Sequence, residues 1–534
     1  KGDTTISGGK VQINSAQGLG DANTGTLVLD GGSLQVVGNT EVTLDKKAVI
    51  TSNNGTIDNI SNDVKLSGVV SGAGQLVKSG AGKFSLTKEK NSFEGGVRIK
   101  DGTLEVSTDG SLGKANTQVL IDGATLAIAK DANLSRQIVF TEKGGAVSVA
   151  GTNTATLSGT LSLDAGVLSA DFTKSGTGTL NLTKDNTNFK GNTIIQEGTL
   201  GITGKDNLAQ GKLFLDGGNL RTNASLNFDK EIIINSTGGI DTLGNKTEVT
   251  VTSKIQGNGG LVKTGEGTLT LSADNAYAGG TQVKGGTLVV NQDSNLGLQA
   301  TDITLNGGTL QLGAADAVSF KKGDAASRLL KVGQEGGGLD IGAFDLTIET
   351  DISGDGTLTQ TGTAKKDANG NIVKDQYGQT VFTHDGTLTL KGNNTVSGIT
   401  VESGTLKIDA NQNLGADAAQ LTLKDGTTLD TTDANTKLDL AHGITVGDGI
   451  NGATLRQDED LSIRGLTGTG KATLKVDKGA KALAFNGDSS AFAGNLLVQG
   501  NIEVKQNLGT GNVEFNQGVA NNAADSNLHI TGNA

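Results

Sequence analysis

One block of sequence recurs along almost the whole chain. Its first copy, residues 72–113, contains a glycine pair, a lysine, a second glycine pair, an Asn-x-Phe-x-Gly segment, a Gly-Thr-Leu segment and a final Leu-Gly pair. Further copies occupy residues 169–208, 257–297 and 354–415, and a degenerate copy occupies residues 468–509. Such a repeat indicates one structural unit stacked on copies of itself, so it predicts an extended solenoid rather than a globule.

The residues that recur are glycines, leucines and a lysine. Glycine tolerates the tight and left-handed turns that corners require, and the leucines alternate with polar residues, as core-facing residues of a strand do. We therefore predict structural roles, and no catalytic role, for the recurring residues. These are Gly72, Gly74, Lys78, Gly80, Gly82, Gly102, Leu104, Lys174, Gly176, Gly178, Gly198, Leu200, Lys263, Gly265, Gly267, Gly286, Leu288, Gly404 and Leu406.

The leucines of the Leu-Gly anchors define a longer period. They lie 93, 96, 88, 118 and 94 residues apart, at Leu19, Leu112, Leu208, Leu296, Leu414 and Leu508, and only Leu208 is followed by alanine instead of glycine. One turn of a parallel β-helix takes roughly 20–25 residues, so the longer period corresponds to about four coils. A large sandwich or barrel would contain strands of the same length, but only a solenoid can extend by repetition in this way.

The composition excludes several other classes of protein. Glycine accounts for 83 of 534 residues, while proline, cysteine, methionine and tryptophan are absent. The absence of proline and of a period-three glycine pattern excludes collagen, and the absence of cysteine excludes a disulfide scaffold and a thiolate metal site. The formal net charge of −12 is spread along the chain and argues against nucleic-acid binding by a basic face. A chain with no methionine and no signal peptide at Lys1 is also expected to be a piece of a longer protein.

The first copy alternates apolar and polar residues with a period of two. Phe84 and Leu86 form one such pattern, and residues 97–99 and 104–106 form two more. Period-two alternation predicts short strands with one buried face, and the intervening glycine, asparagine and aspartate residues predict corners. We therefore predict an all-β parallel β-helix that forms one continuous elongated rod over residues 1–534.

These motifs resemble the passenger-associated transport repeat of bacterial autotransporters, the type V secretion proteins. The first and third copies match the family pattern almost throughout, the second has Ser169-Ala170 in place of the leading glycine pair, and the fourth has Gln360 in place of the lysine. The resemblance implies a right-handed β-helical passenger at the bacterial cell surface, secreted through a C-terminal outer-membrane barrel that is absent from this sequence. It also implies that the repeats promote secretion and folding, and that the stem carries adhesive or effector regions.

One insertion interrupts the repeat. The surplus in the 118-residue interval falls at residues 361–386, where Asn369-Gly370 is a strong hairpin turn signal. We therefore predict a β-hairpin or loop that projects from the rod. Insertions in solenoids are often binding faces, so Tyr377, Phe382 and His384 are the candidate binding residues.

The sequence offers little for catalysis or for cofactor and metal binding. His384, His442 and His529 are far apart, which argues against a serine triad or a zinc site and predicts that each is a solvated loop or corner residue. An enzyme on this scaffold, such as a polysaccharide lyase or hydrolase, would need a cluster at an irregular place. The insertion contains aspartates, but they show no clear pairing. We therefore predict no enzymatic activity, no cofactor and no metal.

Together these observations predict a surface-displayed stem that acts as an adhesin and structural scaffold and folds coil by coil during secretion. The expected partners are host cell-surface or matrix molecules, other cells through self-association, and the protein's own barrel. Two alternatives stay open: a β-helical polysaccharide-active enzyme, and a pure spacer whose functional head lies N-terminal to this segment.

Overall fold

The computed structural model describes residues 2–20, 24–38, 40–315, 317–325, 327–369, 371–374, 378, 380–382, 386–431, 438–449, 451–457, 460–469, 473–476, 482–498, 501–504, 507–515 and 528–530. These residues form short β-strands joined by corners. Five 3-10 turns interrupt the strands, at Ala16–Leu19, Asp109–Leu112, Lys205–Asn207, Asp293–Leu296 and Asn411–Leu414. In the described part of the chain, no helix is long and apolar enough to span a bilayer.

The chain divides into two compact units, of which the first comprises Lys1–Leu243 and Thr252–Gly259. Its strands are β1 (Thr4–Ile6), β2 (Lys10–Ile13), β3 (Leu27–Leu29), β4 (Ser33–Val36), β5 (Val42–Leu44), β6 (Ala48–Ile50), β7 (Gly55–Asn59), β8 (Val64–Leu66), β9 (Val70–Ser71), β10 (Leu76–Ser79), β11 (Lys83–Leu86), β12 (Val97–Ile99), β13 (Thr103–Val106), β14 (Val119–Ile121), β15 (Thr125–Ile128), β16 (Ala132–Leu134), β17 (Ile138–Phe140), β18 (Gly145–Val149), β19 (Thr154–Leu157), β20 (Leu161–Leu163), β21 (Phe172–Ser175), β22 (Thr179–Leu182), β23 (Thr193–Ile195), β24 (Thr199–Ile202), β25 (Leu213–Leu215), β26 (Asn219–Thr222), β27 (Leu226–Phe228), β28 (Ile232–Ile233), β29 (Gly238–Thr242) and β31 (Ile255–Gly257).

The second unit comprises Gly244–Val251 and Gly260–Ala534. Its strands are β30 (Glu248–Val251), β32 (Leu261–Thr264), β33 (Thr268–Leu271), β34 (Ala276–Tyr277), β35 (Thr281–Val283), β36 (Thr287–Val290), β37 (Ile303–Leu305), β38 (Thr309–Leu312), β39 (Leu330–Val332), β40 (Gly337–Asp340), β41 (Leu346–Ile348), β42 (Thr357–Thr361), β43 (Thr387–Leu390), β44 (Gly398–Val401), β45 (Thr405–Ile408), β46 (Gln420–Leu423), β47 (Thr428–Asp430), β48 (Leu438–Val446), β49 (Ala453–Arg456), β50 (Leu461–Thr467), β51 (Thr473–Val476), β52 (Ala482–Phe485), β53 (Asn495–Val498), β54 (Asn501–Val504), β55 (Val513–Phe515) and β56 (Leu528–Ile530).

Each unit is a parallel β-solenoid. In the first unit, one sheet has the strand order β5-β8-β11-β13-β15-β18-β21-β23-β25-β28-β31. In the second unit, β41-β43-β45-β47-β49-β51-β53-β55 is the order of another sheet. Neighbouring strands are two or three elements apart in the chain and parallel, which is the topology of a coil that returns to the same sheet once per turn. The prediction of an all-β parallel β-helix is therefore confirmed.

The register places polar residues above polar residues and apolar residues above apolar residues. Lys83 pairs with Thr103 and Thr103 with Thr125, so two successive coils take 20 and 22 residues. The next residues along the same two strands, Phe84 and Leu104, also pair, and both are fully buried. A strict period of two thus builds an aliphatic column inside each unit and leaves a row of polar side chains outside.

The glycine of the Gly-Thr-Leu segment is required by a turn between two coils. Gly102 has a φ of 63°, and a Cβ atom there would lie 2.5 Å from the carbonyl oxygen of Gly80 in the preceding coil. Gly198 and Gly286 have the same left-handed φ and face the same carbonyl obstruction. Any side chain at this corner would therefore be strained and would also push neighbouring coils apart.

Candidate functional site

The recurring lysine is buried in the core. Lys174 pairs in register with Val147 on one side and Ile195 on the other, so it occupies one rung of an aliphatic column. Lys78 and Lys263 are equally buried, and none of the three side chains has measurable exposure. A buried ammonium is costly unless its donors are satisfied, so its partners decide what this lysine does.

Each of these ammonium groups donates hydrogen bonds to three backbone carbonyl oxygens at a corner. Two acceptors are the next two residues of the same coil, and the third belongs to the following coil. The N–O distances lie between 2.5 and 3.1 Å. The acceptors are Ser79, Gly80 and Asp101 for Lys78; Ser175, Gly176 and Glu197 for Lys174; and Thr264, Gly265 and Gly285 for Lys263.

Burial lowers the pKa of two of these lysines. It brings the pKa of Lys78 from 10.5 to about 8, with Asp101 and Asp58 acting in the opposite direction. It brings the pKa of Lys174 to about 8 as well, opposed by Glu197. Both side chains are therefore charged at neutral pH, with all three donors of each ammonium in use. The lysine connects neighbouring coils by hydrogen bonds, and its lack of exposure excludes it as a surface nucleophile.

The fourth copy lacks the lysine at the corner that carries the insertion. Gln360 stands at the motif position of the lysine, in a core column between Leu339 and Val401, and is 1% exposed. Its amide nitrogen donates to the carbonyl oxygens of Gly386 and Thr405 at 3.4 and 3.2 Å. In the other copies, the acceptors of the lysine are the two residues after it and one residue of the following coil. In the fourth copy, the insertion follows this position, and a neutral amide with fewer donors replaces the ammonium.

The asparagine of the Asn-x-Phe-x-Gly segment bridges three coils. Asn186 accepts a hydrogen bond from the backbone nitrogen of Leu161 in the preceding coil, at 2.8 Å. Its side-chain nitrogen donates to the carbonyl oxygen of Asn207 in the following coil, at 2.7 Å. Asn91 and Asn394 make the same pair of bonds, and the three side chains are almost completely buried. The amide satisfies backbone groups that an apolar side chain would leave unpaired.

A second asparagine precedes the leucine of three anchors and shapes the 3-10 turn. Asn207, Asn295 and Asn413 each accept two backbone N–H groups at the start of the turn. Each also donates to a carbonyl oxygen of the preceding coil. The Leu-Gly anchors are therefore helical corners tied to the coil before them, a feature that the strand-based prediction missed.

A basic side chain from the following coil covers each of four anchors. It donates to the carbonyl oxygen two residues after the anchor leucine. The pairs are Arg136 with Lys114 at 2.8 Å, Lys230 with Gln210 at 3.3 Å, Arg328 with Leu298 at 3.1 Å, and His442 with Ala416 at 2.9 Å. These donors satisfy carbonyl oxygens at the C-terminal ends of the turns, which have no partner within the turn.

The two arginines are the largest fully buried side chains of the described residues. Arg136 is 1% exposed and pairs with Asp109 at 3.0 Å, while Arg328 is fully buried and pairs with Asp293 at 2.8 Å. Burial lowers the pKa of Arg136, and Asp109 opposes that shift. Sequence reasoning missed this pairing because the arginines follow their aspartates by 27 and 35 residues. The Asp-x-x-Leu-Gly pattern that begins at Asp109 and at Asp293 is the sequence signal that could have indicated these two ion pairs.

The prediction that each histidine is solvated was wrong for His442. Its side chain is 2% exposed, and its Nδ1 has no hydrogen-bond partner among the residues that the structure describes. Burial lowers the pKa of His442, against the opposing hydrogen bond to Ala416. The histidine is buried because it covers an anchor, as the arginines do. His384 lies outside the described residues, as does the side chain of His529.

The insertion is only partly described. Tyr377 and His384 lie outside the described residues, and Phe382 is half-buried. Phe382 forms an antiparallel bridge with Ala364, and two further antiparallel bridges join Lys366 to Ile372 and Lys374 to Thr380. Three short segments therefore pair with one another. The eight-residue spacing of Lys-Asp-x-x-Gly-x-x-Val, from 366 to 381, is the sequence signal for this arrangement.

The start of the insertion is tied to the solenoid surface. Gln311 donates to the hydroxyl of Thr363 at 2.9 Å, and the same hydroxyl donates to the carboxylate of Asp340 at 3.2 Å. Gln311 and Asp340 pair in register on neighbouring strands of the second unit. Thr363, near the start of the insertion, is therefore held against the outward row that Gln311 and Asp340 form.

The first unit also contains a surface groove of about 250 Å³. Asn181, Gly201 and Arg221 follow one another on its outward row, in register on β22, β24 and β26. The guanidinium Nε of Arg221 donates to Asp241 at 2.7 Å. Sequence reasoning missed this place, although Gly201 departs from the larger residues at the same motif position in the other copies. Among the described residues, no group of three or more His, Asp and Glu side chains could hold a metal ion.

A known family of repeats matches four of the repeat copies in this chain. The model of the passenger-associated-transport-repeat family matches residues 76–106, 172–202, 261–290 and 385–408. These segments span the buried lysines of three copies and the Gly-Thr-Leu corners of all four. No solved structure matches the chain.

Three curated proteins are similar to the chain. The adhesin BmaC autotransporter of Brucella suis biovar 1 (strain 1330) is 32% identical over 206 residues, which are 38% of this chain and 6% of that protein. The probable autotransporter YfaL of Escherichia coli (strain K12) is 25% identical over 97% of this chain and 44% of its own length. The uncharacterized lipoprotein YdeK of the same strain is 27% identical over 45% of this chain and 22% of its own length. The chain spans less than half the length of each relative.

Proposed function

We propose that this chain, a segment of an autotransporter passenger with passenger-associated transport repeats, is a surface-displayed stem whose repeats drive coil-by-coil folding during secretion. The observation that carries the proposal is the bridging role of Asn186. Its side chain is satisfied only when the coils before and after it are both in place. Lys174 likewise requires the next coil for its third acceptor.

This dependence makes each coil a template for its neighbour. Adding a coil satisfies polar groups that the previous coil presents at its open edge, so folding releases free energy in steps along the chain. A chain that emerges from a pore could use that release to prevent backward movement. The partner in this process is the protein's own C-terminal barrel.

The test is to disrupt one coil of the complete precursor and measure its display on cells. Leu269→Asp with Leu271→Asp places two charges in a fully buried column, and we expect surface display to fall at least threefold. Thr268→Asp with Thr270→Asp changes the outward face of the same strand and is the matched control. Normal display of the leucine variant, with a locally unfolded coil detected by proteolysis, would contradict the proposal.

We further propose that the stem contributes to adhesion, through host cell-surface or matrix molecules or through self-association of cells. The support is the similarity to a protein named as an adhesin, together with an insertion that breaks the repeat. Tyr377, Phe382 and His384 are the proposed contact residues of that insertion. No catalytic role is proposed, since the relatives that carry a functional name are named as an adhesin and an autotransporter.

The adhesion proposal can be tested with a deletion that the repeat itself suggests. Removal of residues 364–385 joins Thr363 to Gly386 and recreates the uninterrupted Gly-Thr-Gly-Thr-Leu sequence of the second copy. We expect normal display and loss of cell binding or aggregation. Unchanged binding and aggregation would remove the insertion as the contact surface.

A further inference from the structure

We propose that the groove around Gly201 binds a pyranose sugar that carries a carboxylate, such as a uronic acid unit of a glycan. This inference names a ligand class for the adhesion part of the proposed function. It rests on that proposal only where it assumes that the glycan belongs to a cell surface or matrix. Its physical basis is the shape of the groove and the hydrogen-bonding groups along it.

The groove lies where an outward row carries a glycine instead of a larger residue. Gly201 lies between Asn181 and Arg221 in register, and the corresponding positions of the other copies carry Glu105, Val289 and Lys407. The amide of Asn181 lies in the space that a side chain at residue 201 would take, and this row borders a concavity of about 250 Å³. This volume lies just below the range of roughly 300–1,000 Å³ that is usual for ligand pockets, and it suits one sugar ring better than a long chain.

Arg221 is positioned to bind a carboxylate. Its Nε donates to Asp241, which is 8% exposed, and this bond orients the guanidinium plane. In the described part of the chain, its two terminal nitrogens make no hydrogen bond, and the side chain is 37% exposed. A guanidinium with two free terminal nitrogens presents the parallel donors that a carboxylate accepts.

The rest of the groove suits a sugar ring. The amide of Asn181 has no hydrogen-bond partner among the described residues, and it lies over Gly201, where a Cβ atom would collide with its oxygen. An amide can both donate to and accept from sugar hydroxyls. Leu243 lines the groove with 43% of its surface exposed, which offers an apolar contact for a ring face.

The test uses the full purified chain and a free sugar, so it is independent of secretion and of cell adhesion. Methyl glucuronide is titrated while saturation-transfer NMR detects binding, and methyl glucoside serves as the neutral comparison. We expect binding of the glucuronide at least tenfold tighter than of the glucoside. No binding of the glucuronide, or equal binding of both sugars, would overturn the inference.

Two variants connect binding to the groove. Gly201→Val introduces the side chain that the third copy carries at Val289 and displaces the Asn181 amide from its place over Gly201, so the coil should remain folded while glucuronide binding is lost. Arg221→Lys keeps the charge but removes the paired donors, and we expect at least a tenfold loss of affinity. Arg98→Lys, at another arginine paired with an aspartate on the surface, is the control. Unchanged binding in Gly201→Val would overturn the inference, and failure of cell adhesion alone would leave it standing.

Discussion

The ammonium group of Lys174 donates a hydrogen bond to the carbonyl oxygen of Glu197, 3.0 Å away in the following coil. The same relationship joins Lys78 to Asp101 and Lys263 to Gly285. A lysine, which the sequence alone would place at the surface, is therefore a buried connection between coils. Its removal should loosen the repeat while leaving the aliphatic column intact.

Replacement of Lys174 by methionine tests this connection. Methionine keeps most of the volume but leaves three carbonyl oxygens without their donor, so the local free energy of unfolding should fall by about 2–4 kcal/mol. Hydrogen exchange of the peptide covering 172–202 measures the change. Lys190→Met, at an exposed lysine of the same copy, should change it by less than about 0.5 kcal/mol. Equal effects of the two variants would contradict the assigned role.

The lowered pKa of Lys174 predicts a pH dependence with a definite sign. The folded lysine titrates near 8 and the unfolded lysine near 10.5, so the unfolded chain binds more protons between these values. Stability should therefore increase as the pH rises from about 8 to about 10.5. Hydrogen exchange corrected for its intrinsic pH dependence should show a steeper rise in the wild type than in Lys174→Met. Identical slopes would show that the three carbonyl acceptors cancel the effect of burial.

Replacement of Asn186 by aspartate removes a donor without changing the shape of the side chain. The carboxylate would face the carbonyl oxygen of Asn207, which now receives a hydrogen bond at 2.7 Å. We expect a loss of about 2–4 kcal/mol in the local free energy of unfolding, because a buried charge would meet an acceptor. Asn188→Asp, two residues away and exposed, is the control. A small effect of Asn186→Asp, within that of the control, would argue against the bridging role.

The buried arginine at the first complete anchor makes a further prediction. Arg136→Lys keeps the charge but cannot reach Asp109 and the turn carbonyls together, so the melting of this coil should occur at lower temperature. We expect a loss of about 2–3 kcal/mol, since one partner of a buried ion pair is left poorly satisfied. Arg98→Lys at a partly exposed pair should cost less than about 1 kcal/mol. Thermal unfolding followed by limited proteolysis distinguishes the two variants, and equal losses would refute the prediction.

The sequence alone determined the fold because its information is periodic. Alternation with a period of two identifies buried faces, and regularly spaced glycines identify corners, so the parallel β-solenoid follows from residues such as Phe84 and Leu104. The corner at Gly102 can also be predicted locally, because only glycine easily adopts the left-handed backbone conformation found there.

Only the tertiary structure decided which polar residues are buried and what they contact. Lys174, Asn186, Arg136 and His442 find their partners in neighbouring coils, about 20 or more residues away, and no local pattern reports such a distance. The groove at Gly201 has the same origin, because a missing side chain matters only when the rungs above and below it are known. Stacking makes neighbours of residues that are remote in the chain, and the pairing register decides which side chains and carbonyl groups come within hydrogen-bond distance.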